Sequence, residues 1–431
     1  AMLNSVAGDV IYIAGGSYQP DLSEGFPGMI GDRSASFTFV HSLTLLGGRA
    51  GPVGNPANPD EFDPDSYVTI LSGDLGGDDP TLLDSTSVNE MDPFRVENSI
   101  HVMTVVSVNS ATTALVAGLT IQAGFAWDEL ASTGAPGPRS IRRGAGIYLP
   151  VFEVETFTIL AVCRVRGNYA HDEGGGIYNE GSSVYLVASE VTDNASRHGA
   201  GYRDVGQGSE QRGDLFAYRT LFDRNYLLIS DNGGEGGAIS LGRGVAWVRD
   251  CVLRENSAFM GSLDNGRGGA VFVSRTSSLH AFNNTFINNL GSAGPGGANL
   301  WCEVAVVQLD FANNICWGAV PLANHMVYSL IPADVVDFGF NNIEGLDLPG
   351  FAVAPGNDVD VDPQFADGMG RLGDSSPCID AGWNGAVPDA GDLDFDGLAR
   401  TMDDHQSAAA GRGRPVALGV SHPGVRPDVD L

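Results

Sequence analysis

The sequence predicts an all-β fold, a parallel β-helix wound from a single chain, and three observations predict it. First, one short pattern recurs: an alternating apolar run that ends on Asn, at Asn168, Asn194, Asn225, Asn256 and Asn289. The register continues through residues 309–319, with Ala319 in the Asn slot, at steps of 26, 31, 31, 33 and 30 residues. A period of about 20 to 50 residues is the signature of a solenoid or an array. Second, aligning on the Asn produces columns. Three residues before it stand Val165, Val191, Phe222, Leu253, Phe286 and Cys316; eight before it, Leu160, Leu186, Ala217, Val248, Ala281 and Phe311. Ten before it stand Thr158, Val184, Leu215, Ala246, Leu279 and Leu309, whereas the fifth position is small or polar: Cys163, Ser189, Thr220, Cys251, Asn284 and Asn314. Offsets of two alternate side chains between two faces, as in a strand. Third, glycine clusters (174–176, 236–237, 268–269, 296–297) fall between the runs, where a corner needs positive φ.

Each coil would leave its apolar face bare without neighbours, so the coils must stack, with strands about 4.8 Å apart. The Asn column suits a tight turn, because Asn tolerates left-handed backbone. Its amides could also bond from coil to coil.

In chain order, residues 1–6 suit the end of an apolar cap over the first coil, and GDVIYIAGG (8–16) reads as a strand closed by glycines. FTFVHSLTLLGG (37–48), YVTILSG (67–73), SIHVMTVV (99–106) and ALVAGLTIQAG (114–124) follow, all β-branched and bounded by turns. Loop insertions are expected near 50–65, 76–94 and 127–143, the first two rich in Pro, Gly and Asp. The helix proper spans 1–345, with VVDFGFNNIEG as a last degenerate copy, and 346–431 form an irregular acidic cap or tail packed on it.

Composition bounds the partners. The chain has 431 residues, 59 Gly, 22 Pro and a net charge of −30, and its 23 basic residues are all Arg. A solenoid grows in one dimension, so this length needs no single large core. The charge excludes nucleic acid and an anionic membrane surface, which need a basic footprint. No run approaches the roughly 20 apolar residues of a membrane span, so no membrane insertion is expected. Neither a basic start nor an apolar core marks a signal peptide at residues 1–10. The five Cys read as thiols: Cys163 and Cys251 share a column but lie three coils apart, about 14 Å, beyond the roughly 7 Å that a disulfide allows between Cα atoms. Cys302, Cys316 and Cys378 show no regular spacing and no CxxC.

At this point the motifs are familiar. GGAI (236–239) and GGAV (268–271), paired with FDRN (222–225) and FINN (286–289), resemble the repeats of chlamydial polymorphic outer membrane proteins. The opening GDVIYIAGGSYQP, then LLGGRAG and TILSGDLGGDD, resemble the first coils of secreted β-helix proteins of large-genome environmental bacteria. Residues 357–384 and DLDFDGLAR (392–400) are similar to the closing segment of that family. The resemblance covers nearly the whole chain. It implies a right-handed, pectin-lyase-like solenoid that is secreted or held at the cell surface. Members usually carry an amphipathic helix before the first strand, and PDVDL looks like a closing motif cut short, which together imply a longer exported precursor.

Function must come from residues, since fold analogy does not give it. Polysaccharide lyases of this fold that use Lys are excluded, because the chain has none. An Arg-dependent lyase survives, in which Arg254 or Arg224 takes the proton α to a uronate carboxyl while Ca²⁺, held by carboxylates, neutralises the charge. A hydrolase would use carboxylates about 5 to 9.5 Å apart, for which Asp223 and Asp250 are the candidates. The bland alternative is a solvated ladder of Arg166, Asp193, Arg219, Arg249 and Glu255 with these four, each pair worth little. RHGAG (197–201) and HDEGGG (171–176) read as turns. DVDVD (Asp358, Asp360, Asp362) and DLDFDG (Asp392, Asp394, Asp396) space carboxylates as calcium loops do, without the twelfth-position Glu of an EF-hand. Two functions follow: a non-catalytic extracellular or cell-surface structural or adhesive solenoid that binds glycan, a surface protein or, end to end, its own copies; or the calcium-assisted lyase of acidic glycans.

Overall fold

A computed structural model describes residues 2–21, 31–79, 95–106, 111–127, 139–150, 156–206, 212–228, 233–258, 266–274, 276–291, 297–303, 306–318, 327–329, 336–345, 356–379 and 381–382. They form a parallel β-helix of three long sheets, with ten, nine and eleven strands, and a short sheet of four. Twisted strands impose a right-handed winding on parallel crossovers.

One coil shows the plan. Ile177–Asn179 lies in the nine-stranded sheet, Ser183–Val187 in the ten-stranded sheet, Glu190–Thr192 in the eleven-stranded sheet and Ala195–Ser196 in the short one. We call the ten-, eleven- and nine-stranded sheets the first, second and third. Several runs that read as one strand in the sequence are two, bent at a corner: the run at 37–48 falls on Phe37–Phe39 and Leu43–Arg49, and that at 114–124 on Thr112–Ala117 and Leu119–Gln122. The ladder registers reproduce the sequence columns: Leu160, Leu186, Ala217, Val248, Ala281 and Phe311 are successive partners, as are Val165, Val191, Phe222, Leu253, Phe286 and Cys316.

These two columns fill the core jointly. Where the first is Ala (Ala217, Ala281) the second is Phe (Phe222, Phe286), and where the first is Phe311 the second is Cys316, all buried. Large faces small in these three coils, and the others pair aliphatic residues (Leu160 with Val165, Leu186 with Val191, Val248 with Leu253), so the cross-section keeps a near-constant volume at close packing. Coil-to-coil contact then continues through rings: Phe311 lies 5.7 Å from Phe286 and stacks on Phe338 at 5.3 Å.

The Asn column is not the turn residue. The left-handed backbone belongs to the residue before it, Asp193 (φ 55), Arg224 (φ 48) and Glu255 (φ 52), while the Asn side chains point inward and are buried. The corner can therefore carry an outward charge while the amide stays dry. Asn168 donates through Nδ2 to Asn194 Oδ1, Asn194 to Asn225, Asn225 to Asn256 and Asn256 to Asn289, each at 3.0 Å. Each receiving Oδ1 also accepts the main-chain N–H of the Asn one coil earlier, and the second Nδ2 proton reaches a carbonyl such as Val165 or Val191 O. Every polar atom of the column is satisfied, which a buried amide requires.

The ladder does not end the solenoid near Ala319, which lies outside the described residues. Asn289 bonds Asn299, at the start of the next coil, at 2.9 Å, and a second ladder, in the fifth-position column at the corner between the first and second sheets, has already begun. It runs from Asn284 to Asn314 (3.0 Å), Asn341 (3.1 Å) and Asn357 (3.1 Å). Ser189, Thr220 and Cys251 occupy this column in earlier coils, making weaker versions of the same bonds.

The glycine motif has two jobs. Gly236 (φ 70) and Gly268 (φ 65) supply positive φ, but Gly237 and Gly269 are there for close approach: a Cβ would come within 2.2 Å of Gly269 O and 2.3 Å of Ala298 O.

The ends differ from the plan in detail. Met2–Asn4 form a single 3₁₀ turn whose Met2 packs on the core. The insertion expected at 50–65 contains a short helix, Gly51–Gly54, and reaches the second sheet through Asp65, paired with Arg164 at 2.5 Å. The insertion at 76–94 lies outside the described residues from 80 on, and that at 127–143 is described only at Trp127 and from Arg139 on, where Arg139–Arg142 form a 3₁₀ turn. Past the expected boundary at 345, Asp358–Val359 still adds a strand to the second sheet. Residues 362–379 then fold back over the outer face of that sheet, where Phe365, Leu372 and Cys378 pack on Ile315 and Trp317. A Cβ on Gly370 would meet Ile287 Cδ1 at 2.5 Å, so this strap lies directly on the sheet.

All five cysteines are buried thiols with no disulfide. Burial pushes Cys163 and Cys251 up to about 12 and the other three upward, so none offers a thiolate near neutrality.

Candidate functional site

The candidate catalytic groups lie on the outer face and adjoining corner of the second sheet. Ladder pairing sets Asp223 beside Arg254 one coil on. Arg254 grips the carboxylate with two parallel bonds, Nε to Oδ1 at 3.0 Å and Nη2 to Oδ2 at 2.7 Å. Arg224, exposed at the corner, holds Asp193 in the same way at 2.8 and 3.0 Å and also touches Asp223 through Nη1. Arg254 Nη1 further donates to Gly368 O of the strap at 3.1 Å. Three of the four catalytic candidates are thus brought together, but as a closed ion network. Asp250 is not among them: it sits at the other corner with left-handed backbone (φ 56), 3.5 Å from Arg249.

The electrostatics oppose base chemistry. Carboxylate hydrogen bonds from Asp193 and Asp223 raise the pKa of Arg224 and Arg254 above the ordinary arginine value, so neither guanidinium is positioned to release its proton. A bidentate Arg–carboxylate pair is a strong, geometrically specific contact, and Asp223, at 3% side-chain exposure, is nearly dry.

His198 and His171, from the two histidine-containing turns, occupy corners. His198 stands in a column of bridged corner residues, Arg143, Glu173, His198, Glu235 and Arg267, with its ring 3.8 Å from Glu235, and burial pushes its pKa down. His171 bonds Asp172 at 2.8 Å, and Arg142 holds the same carboxylate at 2.5 Å.

The calcium candidates fare unequally. Asp392, Asp394 and Asp396 lie outside the described residues. Asp358 is in the last strand, Asp360 caps Gly345 N–H at 2.6 Å and Asp362 caps Gln364 N–H at 2.8 Å; the last two serve main-chain groups, and the three do not converge. The acidic group that does converge was not singled out in the sequence: oxygens of Asp74, Asp78 and Glu97 lie within 4.8 Å of one another and could hold a divalent cation. Its only sequence signal is the spacing DLGGDD, which read as a loop; Glu97 joins from 23 residues away (97 − 74). Desolvation, followed by the neighbouring carboxylates Asp78 and Asp79, pushes Glu97 up to about 7. A carboxyl raised on folding binds a proton more tightly in the native state, so stability is lost as pH rises from about 4.5 through about 7. Glu97→Gln is therefore expected to raise the melting temperature at pH 8 and leave it unchanged at pH 4, in thermal scans without divalent cations. Equal shifts at both pH values would contradict this.

The outer face of the first sheet is different in kind. Down one column Leu115, Ile159, Tyr185, Phe216 and Trp247 are successive partners, half-exposed, with Trp247 reaching 36%. Tyr185 and Phe216 stack at 4.6 Å, and Trp247 stacks on His280 at 3.9 Å, whose ring bonds Asp310 at 2.6 Å.

Comparison with known proteins adds no family: no protein-family model, no curated protein and no solved structure matches the chain. Among the described residues no helix is long and apolar enough to cross a membrane.

Proposed function

We propose that this protein is a non-catalytic structural or adhesive β-helix, working outside the cell or at its surface and binding through its ladder faces. One observation carries the reading: Arg224 and Arg254, the residues a lyase of this chain would need, are held in ion pairs with Asp193 and Asp223, and a strap of the same chain lies against Arg254. Ion pairs of this kind stiffen a stack of coils, and the absence of Lys leaves no other base of the lysine type. The half-exposed aromatic face supports a binding role that does not depend on chemistry. Incubation with a panel of uronate polysaccharides, with and without Ca²⁺, is expected to yield no ultraviolet absorbance from unsaturated ends. Steady product formation would overturn the reading in favour of the lyase.

A further inference from the structure

The outer face of the first sheet is flat, apolar and nearly uncharged on a chain of net charge −30. In the seven strands from Leu43–Arg49 to Ser278–Phe282, the charged residues are one acid, Asp214, and two bases, Arg49 and Arg249, with His280 held on Asp310. The face therefore carries little net charge. The rest of this face is aliphatic, aromatic or small and polar.

We infer that this face is the interface of a two-fold dimer, with a second copy of the chain packed sheet against sheet. The inference rests on the reading of the protein as a structural solenoid and names the partner that one face takes. Three arguments favour a second copy.

The first is size. Seven strands, from Leu43–Arg49 to Ser278–Phe282, span about 34 Å at ~4.8 Å each, and five residues of strand span about 16 Å. The footprint is about 550 Å² per copy, or about 1,100 Å² for two, which clears the roughly 1,000 Å² that a specific interface needs. An isologous contact uses the same patch twice, so it needs no second binding surface.

The second is the orientation of the rings. A sugar stacks on an open aromatic face, but Tyr185 and Phe216 face each other with planes 9° apart, and Trp247 faces His280 at 13°. These pairs cover one face of each ring, so the stripe is a comb of side chains at the strand spacing rather than a platform. Two such combs interdigitate as the inner faces of a β-sandwich do, about 10 Å apart.

The third is charge. Two bodies of −30 repel, and they approach at least electrostatic cost across a face that carries one carboxylate and two guanidinium groups. The contact is therefore apolar in origin and opposed by long-range repulsion, so salt must strengthen it.

The test is sedimentation equilibrium of the full chain from about 1 to about 100 µM, at about 0.05 M and about 0.5 M NaCl. The expected result is a mass that doubles with concentration, with association at least tenfold tighter at high salt. Phe216→Glu/Trp247→Glu should weaken it at least a hundredfold, whereas Trp247→Phe should retain it, both with wild-type circular dichroism. If the double variant misfolds, Tyr218→Asp on the same face takes its place. A wild type that stays monomeric throughout at high salt overturns the interface, as does a dimer that survives the charged variants, which would lie elsewhere. Loss of the dimer on adding a neutral glucan, with binding to Trp247, would also overturn it in favour of a glycan. None of these outcomes touches the non-catalytic reading, which stands or falls by the uronate assay.

Discussion

Replacing Asn225 with alanine is expected to destabilise the protein by about 4 kcal/mol or more, one of the two largest effects of a single side chain anticipated here. Asn225 is fully buried and makes four contacts that no neighbour can replace. Its Oδ1 accepts from Asn194 Nδ2 (3.0 Å) and Asn194 N–H (3.2 Å), and its Nδ2 donates to Asn256 Oδ1 (3.0 Å) and Val191 O (2.8 Å). Removing the amide strands two donors of Asn194 and the Val191 carbonyl in the interior, at about 1–3 kcal/mol for each that finds no water, while Asn256 Oδ1 keeps the Asn225 N–H. Glu255→Ala, at the exposed corner beside the next rung, is the control and should cost less than about 1 kcal/mol. Chemical denaturation at constant m-value reads both. A loss below about 1 kcal/mol at Asn225 would mean that the column is not the dry ladder described.

The second large effect concerns the shared cross-section of the coils. Phe311→Ala should cost about 3–5 kcal/mol, because it removes a fully buried ring facing Cys316 and breaks the stack between Phe286 and Phe338. Phe311→Ala/Cys316→Phe recreates the Ala–Phe order of the preceding coil, Ala281 and Phe286, and should recover at least half of the loss. Cys316→Phe alone should destabilise by overpacking, at about 1–3 kcal/mol. Strictly additive losses in denaturation would contradict volume sharing within a coil.

Much of the fold was legible in the sequence because a solenoid writes one unit many times. The columns at three, eight and ten residues before the Asn are the columns of the ladders, residue for residue. What misled was chemistry that a single residue type can satisfy in two ways. Asn is at home in left-handed turns, yet here Asp193, Arg224 and Glu255 take that conformation, and the amide turns inward where its hydrogen bonds are worth most. The second ladder was half visible, as NN in FNN and ANN, but its first rungs are Ser189, Thr220 and Cys251, which carry no amide signal. The handover explains how the helix continues beyond the slot of Ala319.

The site was less legible, and for a physical reason. Spacing indicates which side chains share a face, and Asp223 and Arg254 do share one, with Arg224 at the adjoining corner. Spacing does not reveal whether a charged residue is available or already held. That depends on neighbours one coil away and on a strap whose Gly368 is 114 residues from Arg254. Likewise Asp74, Asp78 and Glu97 meet from the two sides of the insertion expected at 76–94, which no periodic signal announces.

The central claim is that the Arg and Asp residues of the second-sheet face stabilise the solenoid and perform no chemistry. Arg254→Ala tests it most directly, with stability and product formation from uronate polysaccharides measured on the same preparation. The predicted result is a loss of about 2 kcal/mol, because Asp223 is left buried with only Arg224 to hold it, and no unsaturated product from either protein. An active wild type whose activity vanishes in Arg254→Ala while its denaturation curve is unchanged would contradict the account.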